Sequence, residues 1–309
     1  MRRQGGFVLV VVLLVVALLT GMTVTFINDV YIETGSNRAS VEATQGSLFA
    51  DSGISLGLQL LIRTLEDRSY SSLNDLWAKP VYLEEEHGSL KLLISEESGK
   101  LNLNMVVLPN GTAHPVYNPI ATRLLKNLNL SPDLLDALSD WIDVEETPNR
   151  GGAEAVWYLA QMQPVRPANG QLVTIEELGR VKGFAGEPIN KLRSFITVYA
   201  EGARPVTAAP VNINTAPREV LEALDERITP ELADRIIEYR KTTPFQHPSE
   251  LGRVTGMSDI MPALLTCISV KGTVYRILSE ATVNGTIRTI EAFVRLSGAK
   301  STILYWREY

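Results

Sequence analysis

The 309-residue sequence predicts an α+β protein: one long N-terminal helix, an antiparallel sheet gathered from two distant parts of the chain, and a large all-α insertion between them. Three observations predict it. Phe7 to Ile27 carries no charged side chain and is long enough to cross a bilayer. Strand-like runs occur near residues 81–95 and again after residue 271, with little between. The intervening stretch, about 101–265, is rich in helix starts and repeats itself.

The first helix takes its orientation from its flanks. Arg2 and Arg3 precede the apolar run, whereas Asp29 and Glu33 are the first charges after it. The positive-inside bias keeps such an N-terminus cytoplasmic and exports the rest. Three readings of the segment stand side by side. A secretory signal peptide needs a shorter apolar run and a small-residue exit, and none follows Leu19. A plain single-span anchor fits the length. The third reading rests on Gly5-Gly6 lying before the run, which resembles the type III leader of pilins and pseudopilins. The peptidase of that class cuts after the last glycine and methylates the new terminus, here between Gly6 and Phe7. Most pilin-like proteins carry a glutamate five residues into the mature chain; this one has Val11. An unpaired carboxylate in hydrocarbon costs several kcal/mol, so its loss suits a subunit with no neighbour ahead of it, as at a filament tip.

Beyond the membrane segment, Asn28 to Arg68 holds no proline, and Ile54, Leu58, Leu61 and Leu65 recur at helical spacing. The helix is expected to continue, with a frayed or bent join where Gly35, Gly46, Gly53 and Gly57 weaken it; a separate helix after a linker is the alternative. Residues 81–95 read as two short strands around His87-Gly88. Gly272 to Val283, Thr286 to Leu296 and Ser301 to Trp306 read as three more, with Asn284-Gly285 and Ser297-Gly298 at the turns. Two strands are marginal and five are stable. The reading is therefore a leader at 1–6, a transmembrane helix at 7–27, a discontinuous α/β unit at 28–100 and 266–309, and a helical insertion at 101–265 with two related halves.

The internal repeat is explicit. Leu101-Asn-Leu-Asn104 matches Val211-Asn-Ile-Asn214, Ser131-Pro-Asp-Leu134 matches Thr229-Pro-Glu-Leu232, and Glu177-Leu-Gly-Arg-Val-Lys-Gly183 matches Glu250-Leu-Gly-Arg-Val-Thr-Gly256. Each S/T-P-D/E-L puts a capping hydroxyl before a proline at the first helical position. The second copy looks like a helix-hairpin-helix (SAM-like) unit of the competence-protein kind. DNA-binding members offer backbone N–H groups of a glycine hairpin to a phosphate. This chain has Asp225-Glu226-Arg227 there, and two acids without glycine disfavour a phosphate.

Extra sequence in the first copy runs from Asp140 to Tyr158. Asp140, Asp143, Glu145, Glu146 and Glu154 crowd around a Pro-Asn-Arg-Gly-Gly turn. Calcium takes six to eight oxygens from flexible loops of this kind. A solvated acidic turn whose carboxylates cap helix ends is the competing reading, and the EF-hand register is absent.

Composition narrows the classes. The net charge is −6, or −8 without Arg2 and Arg3, which disfavours nucleic acid and anionic lipid headgroups as general partners. Cys267 is the one cysteine, so no intrachain disulfide forms. His87, His114 and His247 lack metal spacing, and no G-x-S-x-G, Walker loop or dinucleotide fingerprint occurs. Trp157 and Tyr158 read as core. No catalytic residue is assigned and no enzyme is expected.

Taken in order, these pieces resemble the K-type minor pseudopilins of the bacterial type II secretion system, the general secretion pathway protein K family. The resemblance rests on Arg2-Arg3-Gln-Gly-Gly6-Phe7 with Val11, on Glu97-Ser-Gly-Lys-Leu-Asn-Leu-Asn104, on Asp140-Trp-Ile-Asp143 with Gly152-Ala-Glu154 and Tyr158, and on Val211-Asn-Ile-Asn-Thr-Ala-Pro217. It implies a pilin-like α/β domain interrupted by a helical domain. It implies a non-enzymatic subunit at the pseudopilus tip that joins the I-type and J-type minor pseudopilins, primes assembly and supports protein export. Prepilin peptidase, the inner-membrane assembly platform and inner-membrane lipid are the other implied partners, and no nucleic acid is expected. It also implies calcium in the helical domain, carried here to Asp140, Asp143 and Glu154, with Glu145 standing where an Asp is common. The alternative function is a membrane-anchored, exported helix-hairpin-helix DNA-binding protein.

Overall fold

The computed structural model describes residues 5–86, 88–108, 110–200 and 208–309. Arg2, Arg3 and His87 therefore lie outside the described residues. The chain begins with α1, Gly5–Leu65, an unbroken helix of 61 residues. At about 1.5 Å per residue it is roughly 90 Å long. From Phe7 to Ile27 every large apolar side chain is exposed, and α1 alone among the described helices is long and apolar enough to cross a membrane.

The glycines of α1 do not break it, contrary to the frayed join expected from propensity. Three of them lie where the helix touches the sheet. A Cβ at Gly46 would meet Arg288 Cγ at 2.9 Å, one at Gly53 would meet Ser279 Oγ at 2.1 Å, and one at Gly57 would meet Ile277 Cγ2 at 2.9 Å. The missing side chains let the helix axis approach closely enough to bury Ala50, Ile54, Leu61 and Leu65 with Leu90, Leu92, Ile277 and Val294. Burial of this kind stabilises by about 25 cal/mol per Å², which outweighs the helix propensity lost at glycine. Gly35 has nothing within 4 Å.

After α1 come β1, Val81–Glu85, and β2, Gly88–Glu96, paired antiparallel. The chain then enters the insertion. Its first part holds β3 (Leu101–Asn102), α2 (Tyr117–Asn127), α3 (Asp133–Ile142), α4 (Ala155–Leu159), a 3-10 turn at Ile175–Arg180, α5 (Glu187–Leu192) and β4 (Ile196–Thr197). Its second part holds β5 (Val211–Asn212), α6 (Arg218–Leu224), α7 (Pro230–Thr242), a 3-10 turn at Pro248–Arg253, α8 (Met261–Leu264) and β6 (Ile268–Ser269). Each part is closed by a parallel two-residue bridge between its first and last strands, Leu101 with Ile196 and Val211 with Ile268.

The chain returns as β7 (Val274–Val283), β8 (Thr286–Ser297) and β9 (Lys300–Glu308). The sheet order is β1-β2-β7-β8-β9, antiparallel throughout, so β2 pairs with a strand some 180 residues later. Asn284 and Gly285 turn the β7–β8 hairpin with φ of 48° and 87°, the left-handed pair that this turn needs. One face of the sheet packs on α1. A second, larger core fills the insertion and reaches Val274 and Phe293 of the sheet.

Candidate functional site

Gly6, Phe7 and Val11 lie in the first turns of α1; Phe7 is 73% and Val11 43% exposed. None of the other described residues packs over them.

The duplicated asparagines explain how each part of the insertion is held. Asn104 Nδ2 donates to Leu172 O and Val198 O, both at 3.0 Å, and its Oδ1 accepts the Leu172 N–H at 2.8 Å. Asn214 repeats this: Nδ2 donates to Phe245 O at 2.8 Å and Val270 O at 3.3 Å, and Oδ1 accepts the Phe245 N–H at 2.9 Å. The preceding asparagines do likewise, Asn102 and Asn212 each taking the N–H two residues on at 2.9 Å. Buried amides of this kind stabilise only when fully paired, as these are. Between the parts, Arg123 of α2 caps the end of α6, donating to Ala223 O and Leu224 O at 2.7 Å.

The turn between α6 and α7 holds no glycine. Asp225 accepts from Arg227 Nε at 2.8 Å and from the Arg227 backbone N–H at 3.0 Å, and these bonds hold its carboxyl below the usual range. The Arg227 amide in this turn is thus occupied by a carboxylate. Thr229 caps α7 by accepting the Leu232 N–H.

The acidic loop is built on the C-terminal end of α3. Asp140 is fully buried and accepts from Asn149 N at 3.1 Å and Asn149 Nδ2 at 2.5 Å. Asp143 is buried and accepts the Glu145 N–H at 3.1 Å; Gly151 N donates to Asp136 Oδ2 at 3.0 Å. Gly152 packs on Asp140 so closely that a Cβ would fall 1.8 Å from Oδ2. Lys182 Nζ donates to Gly152 O at 2.6 Å, and Lys182 N to Tyr158 Oη at 3.1 Å. Tyr158 is core as the sequence suggests, whereas Trp157 is 39% exposed, edge-on to Tyr158 and beneath Lys182.

Glu154 is the unsatisfied member. It is buried, and its Oε1 has no hydrogen-bond partner. Burial raises its carboxyl to about 7, helped by the negative charges of Asp140, Asp143, Glu146 and Glu145. Burial also raises Asp140 and Asp143. Thus Asp140, Asp143 and Glu154 are buried near one another, while Glu145 is exposed and its side chain stands apart from the other three in solvent access. Among the described residues no three acidic, histidine or cysteine side chains converge in a ligating geometry. What favours a cation is narrower: an orphaned buried oxygen in a field of like charges. Sequence reasoning missed Asn149 and Asp136 as partners, because neither lies in the acidic spacing.

It also missed Glu96. In β2 the residues Leu90, Leu92 and Glu96 share the buried side, so strand alternation carries the signal.

Protein-family models described as type II secretion system (T2SS), protein K, match residues 99–201 and 211–271. A type II secretion system protein K from Pseudomonas aeruginosa is 30% identical over 275 residues, 82% of this chain and 80% of that one. One from Aeromonas hydrophila is 25% identical over 286 residues, 86% and 83% of the two chains. One from Pectobacterium carotovorum is 29% identical over 226 residues, 69% and 67%. A chain in the crystal structure of the GspK-GspI-GspJ complex from enterotoxigenic Escherichia coli superposes with a TM-score of 0.72 at 23% identity, covering 89% of this chain and 99% of that chain.

Proposed function

Because this chain belongs to the type II secretion system protein K family, we propose that it is the minor pseudopilin at the tip of the pseudopilus, a non-enzymatic subunit that primes assembly and supports export. The observation that carries the reading is α1: an unbroken helix whose stretch from Phe7 to Ile27 is uncharged, largely apolar and exposed, with Val11 at the position where a pilin would pair forward. Among the described residues nothing packs on the stretch from Phe7 to Ile27, and such a surface suits lipid or the stems of other subunits. Its partners are then the I-type and J-type minor pseudopilins, prepilin peptidase and the inner-membrane assembly platform, with the N-terminus cytoplasmic and the head in the periplasm. The head divides into a pilin-like unit, 28–100 with 266–309, and the insertion, 101–265. We read α6 and α7 as a helix-hairpin-helix scaffold without its phosphate site.

The test uses the full chain expressed with the rest of the secretion system. Mass spectrometry should find a methylated Phe7 terminus, and the protein should co-purify with the I-type and J-type subunits. Retention of Met1 to Gly6, or absence of both partners, sinks the proposal. The DNA-binding alternative has no support in the comparisons; it would need salt-dependent retention on DNA, which an Asp225–Arg227 turn does not favour.

Calcium is a separate proposal, supported by the orphaned oxygen of Glu154. Asp140, Asp143 and Glu154 would hold the ion, and Glu145 would have to turn inward to join them. Bound calcium would neutralise the carboxylates that burial now strains, so chelator should lower the thermal midpoint of the full chain. No shift removes the metal and leaves the tip subunit untouched.

A further inference from the structure

Glu96 ends β2 with its side chain buried, and three chain segments close on its carboxylate. Ser71, on the segment after α1, donates to Oε2 at 2.7 Å; Asn212 Nδ2 donates to Oε1 at 2.7 Å, and Thr215 Oγ1 to the same oxygen at 3.0 Å. The Ser71 oxygen in turn receives the Gly272 N–H at 2.8 Å and Asn212 Nδ2 at 2.9 Å, which leaves the carboxylate as the outlet for its proton. A Cβ at Gly272 would fall 2.1 Å from Glu96 Cδ, so only glycine lets the backbone close over the group.

No cation pairs with Glu96 among the described residues. Tyr275 of β7 is the titratable group that faces it, and its hydroxyl favours the ionised carboxylate; Asp75 acts in turn on Tyr275, and Ser71, Asn212 and Thr215 are uncharged. Neighbouring Glu97 pairs with Lys100, and Lys271 is turned to the carbonyls of Leu65 and Arg68.

The internal repeat shows that this contact is a departure. Asn102 is the counterpart of Asn212, and its Nδ2 stays within the first half, donating to Tyr199 O at 2.8 Å. The counterpart of Thr215 is Met105. In the second half both positions reach out of the repeat to the sheet. The first half meets the sheet differently, by Tyr199 stacked on Phe293 with ring centroids 4.1 Å apart.

We propose that Glu96 is a proton-operated clasp between the sheet and the second helical half: closed and neutral with a proton on the carboxyl, loosened when loss of that proton leaves an uncompensated charge in the junction. Donors favour the ionised form and burial without a cation opposes it, and the balance falls near neutrality, with Glu96 raised to about 7. The sign follows: a carboxyl raised from its ordinary 4.5 contributes fully below 4.5 and loses its contribution as pH rises through about 7.

The experiment is hydrogen exchange on the full chain in detergent from pH 5 to 8, with the first half as internal control. Protection at Phe245, Asn214 and Gly272 is divided by protection at Leu172 and Asn104, which cancels the intrinsic pH dependence of exchange. The ratio should fall on the order of tenfold or more across that range, since one unit of pKa is a factor of ten. In Glu96→Gln, whose amide stands in for the neutral acid, the ratio should stay flat. A constant ratio in the wild type overturns the proposal without any variant. An equal fall in Glu96→Gln also overturns it.

Discussion

Gly53 and Gly35 lie in the same helix and should answer the same substitution in opposite directions. Gly53→Ala places a methyl 2.1 Å from Ser279 Oγ, so the sheet must give way, at a cost of about 1–3 kcal/mol read as a lower thermal midpoint. Ser279→Ala alone should be nearly neutral, because that hydroxyl is buried without a partner, and it should recover part of the Gly53→Ala loss. Gly35→Ala meets nothing and should slow amide exchange around residues 31–39 by helix propensity alone, worth about 0.5–1 kcal/mol. Glu154 gives a second pair of opposed outcomes. Its raised carboxyl contributes stability below 4.5 that is lost as pH passes about 7, whereas calcium needs the ionised form. Glu154→Gln should therefore raise the midpoint in chelator at pH 8 and abolish the gain from calcium; a variant indifferent to both would rule out a ligand role. The sequence showed which residues were glycine and which were acidic. It could not show which glycines meet the sheet or which carboxylate is left without a donor, because both depend on contacts between segments far apart in the chain.

At the scale of elements, the strands were legible and their partners' chemistry was not. Alternation and the Asn284-Gly285 pair located β7 and β8 to within about two residues, and an unbroken absence of proline carried α1 past the membrane. The expected weakness failed at Gly46, Gly53 and Gly57 because tertiary packing overrode local propensity; at Gly35, where nothing packs, the helix continues without that help. The repeated Asn-x-Asn was visible as a pattern, but its function as a staple required knowing that Leu172 and Phe245 lie opposite. Asn104→Ala and Asn214→Ala each strand a buried N–H and two carbonyls, and each should lower stability by about 2–4 kcal/mol in denaturant titrations. Unequal losses would show that the halves do not share the load alike.

On the scale of the whole molecule, the middle of α1 sets the head apart from the apolar stretch Phe7 to Ile27. Residues 28–41 are all exposed and Gly46 is the first buried residue, so about 28 Å of bare helix separates Ile27 from the sheet. Ser36→Cys should react fully with a maleimide in the isolated full chain, where the native Cys267 is buried, and should be shielded when the I-type and J-type subunits are present. Equal labelling in both states would mean that other stems do not pack there. The sheet carries a further consequence, one of timing. β2 cannot find β7 until some 180 more residues have been made, which at 5–20 residues per second is a wait of roughly 10 to 35 s. Throughout that interval β2 has its inner edge bare, open to any passing strand. The insertion shortens the risk after synthesis: once its two parts have closed on their own bridges, Leu101 on Ile196 and Val211 on Ile268, only the segment between Ile196 and Val211 still separates the ends that lead to β2 and β7, and the last strands have a shorter search left.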